Sequence, residues 1–115
     1  MYFQNLFEAI PSIAPAEVKT LIETKSTDEY CLLDVRQPME HAQGRLPGSV
    51  LIPLGELHAR VGELDPKKMV VVYCRSGNRS GQAMDMFGEL GFEQVTEIDG
   101  GIVAWYDAGL AVVAP

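Results

Sequence analysis

The chain has no run of apolar residues approaching the ~20 needed to cross a bilayer. Its first residues also lack the basic-then-apolar order of an export signal, so a cytoplasmic setting is expected. Cations are scarce: 9 basic residues stand against 16 acidic ones, a net charge of −7. That balance argues against nucleic acid and anionic membranes as partners, because both demand a basic face. There are only two cysteines, Cys31 and Cys74, too few for a disulfide framework. With His41 and His58 they show no metal-ligand spacing, so no metal site is expected. Internal repeats, linkers and low-complexity segments are also missing. What remains, 115 residues of which 47% are hydrophobic, fits one globular domain over 1–115, with 1–12 an uncertain N-terminal extension.

Within that domain the apolar pattern alternates between two periods. Ile13 can open a short edge strand, and Pro15 suits the first position of a helix whose stripe is Ala14, Val18, Leu21 and Ile22. Tyr30 to Val35 is a near-continuous apolar run, the mark of a strand covered on both faces, and within it Cys31 reads as a passive core residue. Its weaker alternative is a resolving thiol for Cys74. A short helix over 38–43 is stopped by Gly44, and Ser49 to Ile52 reads as another strand. Leu54, Leu57, Val61 and Leu64 then repeat at helical intervals until Asp65-Pro66. Met69 to Tyr73 is a strand, a helix follows to about Leu90, and Gln94 to Ile98 is a further strand. Asp99-Gly100-Gly101 turns into a last helix over 102–108. Strands alternating with helices predict an α/β domain: a mostly parallel central sheet of about five strands with helices on both faces. In such sheets ligands bind beyond the carboxyl ends of the strands, where Asp34/Arg36, Cys74 and Asp99-Gly100 all fall.

One stretch organises the rest: Met69-Val70-Val71-Val72-Tyr73-Cys74-Arg75-Ser76-Gly77-Asn78-Arg79-Ser80. A β-branched run delivers a cysteine into a small, cationic loop, and a helical stripe of Ala83, Met84, Phe87 and Leu90 starts at once. Backbone N–H groups of such a loop can converge on one point, with the positive end of a helix dipole behind them. A helix terminus contributes ~0.3–1 kcal/mol, whereas a cation ~4 Å away at an effective dielectric of ~20 contributes ~4 kcal/mol before desolvation. At about 1.4 kcal/mol for each pKa unit, Arg75 and Arg79 are therefore expected to dominate in keeping Cys74 a thiolate, the nucleophilic form.

Cys74 to Arg79 resembles the active-site loop of the rhodanese family, single-domain sulfurtransferases that carry sulfur as a cysteine persulfide. The likeness runs from about Pro15 to Leu110. Leu32-Leu33-Asp34-Val35-Arg36 with Glu40 is similar to the family's first signature. Gly44-Arg45-Leu46-Pro47-Gly48-Ser49 resembles its Gly-His-Ile-Pro-Gly-Ala segment, with Arg45 where histidine is usual. Asp99-Gly100-Gly101-Ile102-Val103-Ala104-Trp105 with Gly109 looks like its closing signature.

The resemblance implies an enzyme that takes a sulfane sulfur from thiosulfate or a similar donor onto Cys74 and passes it to cyanide, a thiol or a protein thiolate. It implies no cofactor beyond the covalent persulfide. Cys74 is the expected nucleophile. Amides from Arg75 to Arg79 are expected to cradle the outer sulfur, with Gly77 allowing the curve. Arg75 and Arg79 would steer an anionic donor, and Ser76 and Asn78 would add side-chain hydrogen bonds. Asp34, Arg36 and Glu40 form a supporting rim in which Arg36 pairs with Glu40 or Asp34. Two other classes compete. Cysteine phosphatases and arsenate reductases also place arginine after a thiolate loop, but with one more intervening residue than the four here, a wider cradle suited to a tetrahedral oxyanion. Non-catalytic rhodanese-like modules bind proteins, and commonly lose the cysteine that this chain keeps. Donor, acceptor and oligomeric state are not encoded in any motif.

Overall fold

A computed structural model describes residues 8–115, with side chains from residue 12 onward. Five parallel strands form one sheet in the order β1-β5-β4-β2-β3: β1, Glu8–Ile13; β2, Tyr30–Asp34; β3, Val50–Leu51; β4, Met69–Tyr73; and β5, Gln94–Ile98. The helices are α1, Pro15–Thr24; α2, Pro38–Gln43; α3, Leu57–Arg60; α4, Asn78–Glu89; and α5, Gly101–Asp107. The expected α/β architecture is therefore present, with an entirely parallel sheet.

Two expectations need correcting. Part of the segment set aside as an uncertain extension is structural: 8–12 belong to β1, which ends rather than begins at Ile13 and pairs with β5 at the sheet edge. The register of β1 slips by one residue between Ile10 and Ile13, where Pro11 lacks an N–H to give to a ladder. Residues 1–7 lie outside the described part of the chain. The helix expected from Leu54 to Leu64 is broken into a 3-10 turn (Leu54–Glu56), α3 and a second 3-10 turn (Val61–Glu63). Gly55 and Gly62 sit in those two turns, and each weakens helix by ~0.5–1 kcal/mol relative to alanine. The apolar spacing survives because Leu57 is still fully buried beneath the segment.

Strand geometry sends alternate side chains to opposite faces, and β4 shows the consequence. Val70, Val72 and Cys74 join Leu33, Val35 and Val95 under α4, whose Ala83, Met84 and Phe87 cover them. Val71 and Tyr73 point the other way, into a layer with Leu32, Ile98, Ile102 and Trp105 that also takes Val18 of α1. Val70, Val71 and Val72 are completely buried, which at ~1.5–3 kcal/mol for each such side chain makes β4 the anchor of both layers. The same alternation fixes the site, because the cysteine that follows Tyr73 must face α4.

The turn from β5 into α5 holds the cysteine loop from below. The N–H groups of Ile102 and Val103, in the first turn of α5, donate to the Cys74 and Arg75 carbonyls at 3.0 and 3.1 Å. Gly100 and Gly101 permit this approach: both have positive φ (77° and 63°), and a Cβ at Gly101 would lie 2.4 Å from the Arg75 carbonyl oxygen. We expect Gly101→Ala to cost at least ~2 kcal/mol in urea unfolding, since left-handed strain alone costs ~1–2 kcal/mol before the clash with backbone is added. Gly81→Ala should instead add ~0.4–1 kcal/mol, because that helical position has open space for a Cβ.

Candidate active site

Cys74 directly follows β4 with its side chain directed beneath the N-terminus of α4, and it is 1% exposed. Neighbouring groups are nonetheless aimed at its sulfur. The Gly77 N–H donates to Cys74 Sγ at 3.0 Å, and Ser80 Oγ lies 3.5 Å from the same atom. Gly77 has a φ of 124°, a conformation L side chains rarely adopt, and this is what turns its amide inward. Burial pushes the Cys74 thiol up; the Ser80 hydroxyl and the Ser80, Gly77 and Ser76 amides outweigh it and leave the pKa below its ordinary value. Because α5 draws the Cys74 and Arg75 carbonyls outward, the amide side of the loop is left to the sulfur.

The loop arginines are arranged differently from the expectation. Arg79 is committed to Glu40 of α2 through two hydrogen bonds, at 2.6 and 2.9 Å. Arg75 is exposed and takes part in no ion pair among the described residues. The thiolate is thus favoured mainly by hydrogen bonds rather than by arginine charge. The Coulombic contribution expected of the arginines needs a guanidinium turned inward, and Glu40 holds that of Arg79. Ser76 and Asn78 contribute no side-chain hydrogen bond among the described residues; Ser76 acts through its backbone, and Asn78 is the first residue of α4.

Of the residues expected at the rim, Arg36 pairs with Asp34, and Glu40 pairs with Arg79 instead. Asp34 is fully buried and accepts from the Arg36 backbone N–H (2.9 Å), Nε (2.9 Å) and Nη2 (2.7 Å). Arg36 Nη2 also donates to the Gly44 carbonyl, and its guanidinium lies 5.5 Å from the Tyr73 ring centroid. Burial raises the Asp34 carboxyl, but the hydrogen bonds from Arg36 and His41 carry its pKa below the usual value. Glu40 is held at about 2, chiefly by the Arg79 hydrogen bonds.

Two participants escaped the sequence reading. His41 Nδ1 sits 2.9 Å from Asp34 Oδ2, one helical turn into α2. Tyr73 donates through its hydroxyl to Ser49 Oγ (3.0 Å) and accepts from the Leu46 N–H (3.1 Å), with its pKa pushed up to about 12 mainly by burial. Arg45 donates to the His41 carbonyl. Cys31 pairs in register with Val70, four residues before Cys74, which separates the two thiols by ~13 Å along the strands. A direct Cys31–Cys74 disulfide is therefore out of reach without unfolding the sheet. Burial raises the Cys31 pKa, as suits a core thiol. Beside the loop lies an open groove of ≈ 350 Å³, lined in part by Arg36, Glu40, Arg75, Ile102 and Tyr106.

The structure is a parallel α/β sheet with one cysteine cradled where a strand meets a helix, and comparison with known proteins narrows the class of domain. The rhodanese-like domain model matches residues 14–108. A sulfurtransferase of Allochromatium vinosum is 40% identical over 89 residues, covering 77% of this chain and 83% of its own length. The crystal structure of a rhodanese-related protein from Thermoplasma volcanium superposes with a TM-score of 0.80 at 34% identity, covering 90% of this chain and 98% of that one. A thiosulfate sulfurtransferase from Pseudomonas aeruginosa gives a TM-score of 0.82 at 31% identity, covering 90% of this chain but 20% of the larger protein. The chain belongs to the rhodanese family, and its likeness is to the rhodanese-type sulfurtransferases within it.

The Glu40–Arg79 pair generates a prediction about acid stability. A carboxyl whose folded pKa is depressed stabilises the fold above its unfolded value and loses that contribution as pH falls through the folded value. For Glu40 the window runs from about 4.5 down to about 2. Urea midpoints measured across this range should fall for the native protein, and should fall less for Glu40→Gln; equal slopes would show that the pair does not couple folding to pH.

Proposed function

We propose that this chain is a sulfurtransferase that accepts a sulfane sulfur as a persulfide on Cys74 and delivers it to an acceptor thiol or to cyanide. The observation that carries the reading is the inward amide of Gly77 at 3.0 Å from Cys74 Sγ, in a loop whose carbonyls are drawn away by α5. In the first step the Cys74 thiolate attacks the outer sulfur of thiosulfate or a similar donor. A sulfur–sulfur bond forms to Cys74, the donor's own sulfur–sulfur bond breaks, and sulfite leaves with the electron pair. In the second step an acceptor thiolate or cyanide attacks the outer sulfur, and the Cys74 thiolate leaves. Charge balances at each step, and no redox partner is consumed.

The residues divide the work between them. Amides of Ser76, Gly77 and Ser80 stabilise negative charge on sulfur, whether thiolate or persulfide. The cradle lowers the thiol's pKa, which favours attack as the thiolate without a dedicated proton acceptor beside it. Arg75, exposed beside the groove, is placed to attract an anionic donor such as thiosulfate. Arg79 and Glu40 act as a clamp that fixes the N-terminus of α4 relative to α2, so Arg79 supports the cradle more than it contacts the substrate. The groove offers the acceptor an approach from the Tyr106 side.

Incubation with thiosulfate, followed by intact-mass measurement, tests the reading. One added sulfur is expected for the native protein and for Cys31→Ser, and none for Cys74→Ser. Loss of the added sulfur in both variants would refute a single-cysteine mechanism, and its absence from the native protein with thiosulfate and polysulfide alike would refute sulfur carriage altogether.

A further inference from the structure

Ser80 is fully buried, and its hydroxyl owns one proton with three possible acceptors. The shortest contact is to Glu97 Oε1 at 2.6 Å; the Gly77 carbonyl is at 3.2 Å and Cys74 Sγ at 3.5 Å. Glu97 lies on β5 opposite Val72 of β4. Strand alternation places it on the Val95 side of the sheet, the side covered by α4, so its carboxylate meets the first turn of that helix from below. It lies outside the cysteine loop and outside the Asp99-Gly100-Gly101 turn, and no motif marks it.

We propose that Glu97 is a positioning residue that sets the acidity of Cys74 through Ser80. Glu97 Oε1 holds the Ser80 proton at 2.6 Å, so while Cys74 is protonated the hydroxyl turns its lone pairs to the sulfur and accepts the S–H. The hydroxyl's donation to the thiolate is weakened but not abolished. When Cys74 ionises, the same proton is contested between carboxylate and thiolate. Glu97 thereby limits the donation that Ser80 makes to the thiolate and keeps the thiol less acidic than the amide cradle alone would leave it. The use of such a brake is chemical. Thiolate nucleophilicity falls as thiol pKa falls, and the best attacking thiol has a pKa near ambient pH. A cradle of inward amides without a counterweight would give a sulfur that is ionised but sluggish.

This inference rests on the reading of Cys74 as the nucleophile, but its test needs no sulfur transfer. Other charged groups around the cysteine are Arg75 and Arg79 on the loop and α4, Glu40 on α2, and Asp34 and Arg36 at the end of β2. All are retained in the variants. The rate of Cys74 alkylation by iodoacetamide is followed against pH by intact mass, with Cys31→Ser in every protein. In Glu97→Gln the midpoint should fall by roughly one pH unit, and Glu97→Ala should move it the same way. In a Ser80→Ala background, adding Glu97→Gln should produce less than about a third of that fall, because the intermediary is gone. A midpoint that stays put or rises in both Glu97 variants overturns the proposal. So does a fall that persists in full without the Ser80 hydroxyl, which would make Glu97 a charge acting through space. A protein that accepts no sulfur yet shows the expected alkylation shifts would refute the proposed function and leave this inference standing.

Discussion

The first turn of α5 takes hold of the Cys74 and Arg75 carbonyls, and the rest of the site depends on that grip. A tight loop has both donors and acceptors to place, and it can favour an anion only if the acceptors are drawn elsewhere. Here the last helix of the chain supplies N–H groups that would otherwise lack intrahelical partners. One set of hydrogen bonds thus satisfies a helix terminus, anchors a loop, and leaves Gly77 and its neighbours facing the sulfur. Glycine is needed at the first residue of α5 because a Cβ at Gly101 would occupy the place of the carbonyls the helix binds. Glycine is needed just before it because a Cβ at Gly100 would meet Ala104.

Around this grip the charged residues are arranged for shape more than for direct contact with a reacting atom. Asp34, Arg36 and His41 form a closed network at the end of β2, and the Arg79–Glu40 pair joins α4 to α2. In an acidic chain with few cations, most of those near the cysteine are already committed to carboxylates or carbonyls, and Arg75 is the exposed exception. The division is economical in physical terms. Hydrogen bonds from fixed amides need no side chain to be ordered when a substrate arrives, whereas an arginine swinging inward would lose rotamer freedom each time.

Much of this was legible in the sequence. The apolar run 69–73, the glycine-containing loop and the stripe of Ala83, Met84 and Phe87 determine where the cysteine lies, because strand and helix periods leave little choice. Other parts were not legible, each for a physical reason. Ion-pair partners are settled by geometry at long sequence separation: Glu40 and Arg79 are 39 residues apart, and nothing local distinguishes that pairing from Glu40–Arg36. His41 carries no spacing signal because its partner is a single buried carboxylate on another element. Glu97 looks like one polar residue in an alternating strand, and only the sheet register brings it under Ser80. The helix expected over 54–64 failed for the opposite reason, since local glycines overrode a correct long-range pattern.

The order of the sheet also bears on how the chain comes to be made. β1 lies beside β5, so during synthesis it finds its neighbour only after about eighty more residues have followed. At roughly 5–20 residues per second that interval lasts several seconds. β4, which leads into the cysteine, and its neighbour β2 complete their pairing well before then. The nascent domain is therefore expected to assemble outward from β4 and β2, with β1 unpaired until β5 has been made.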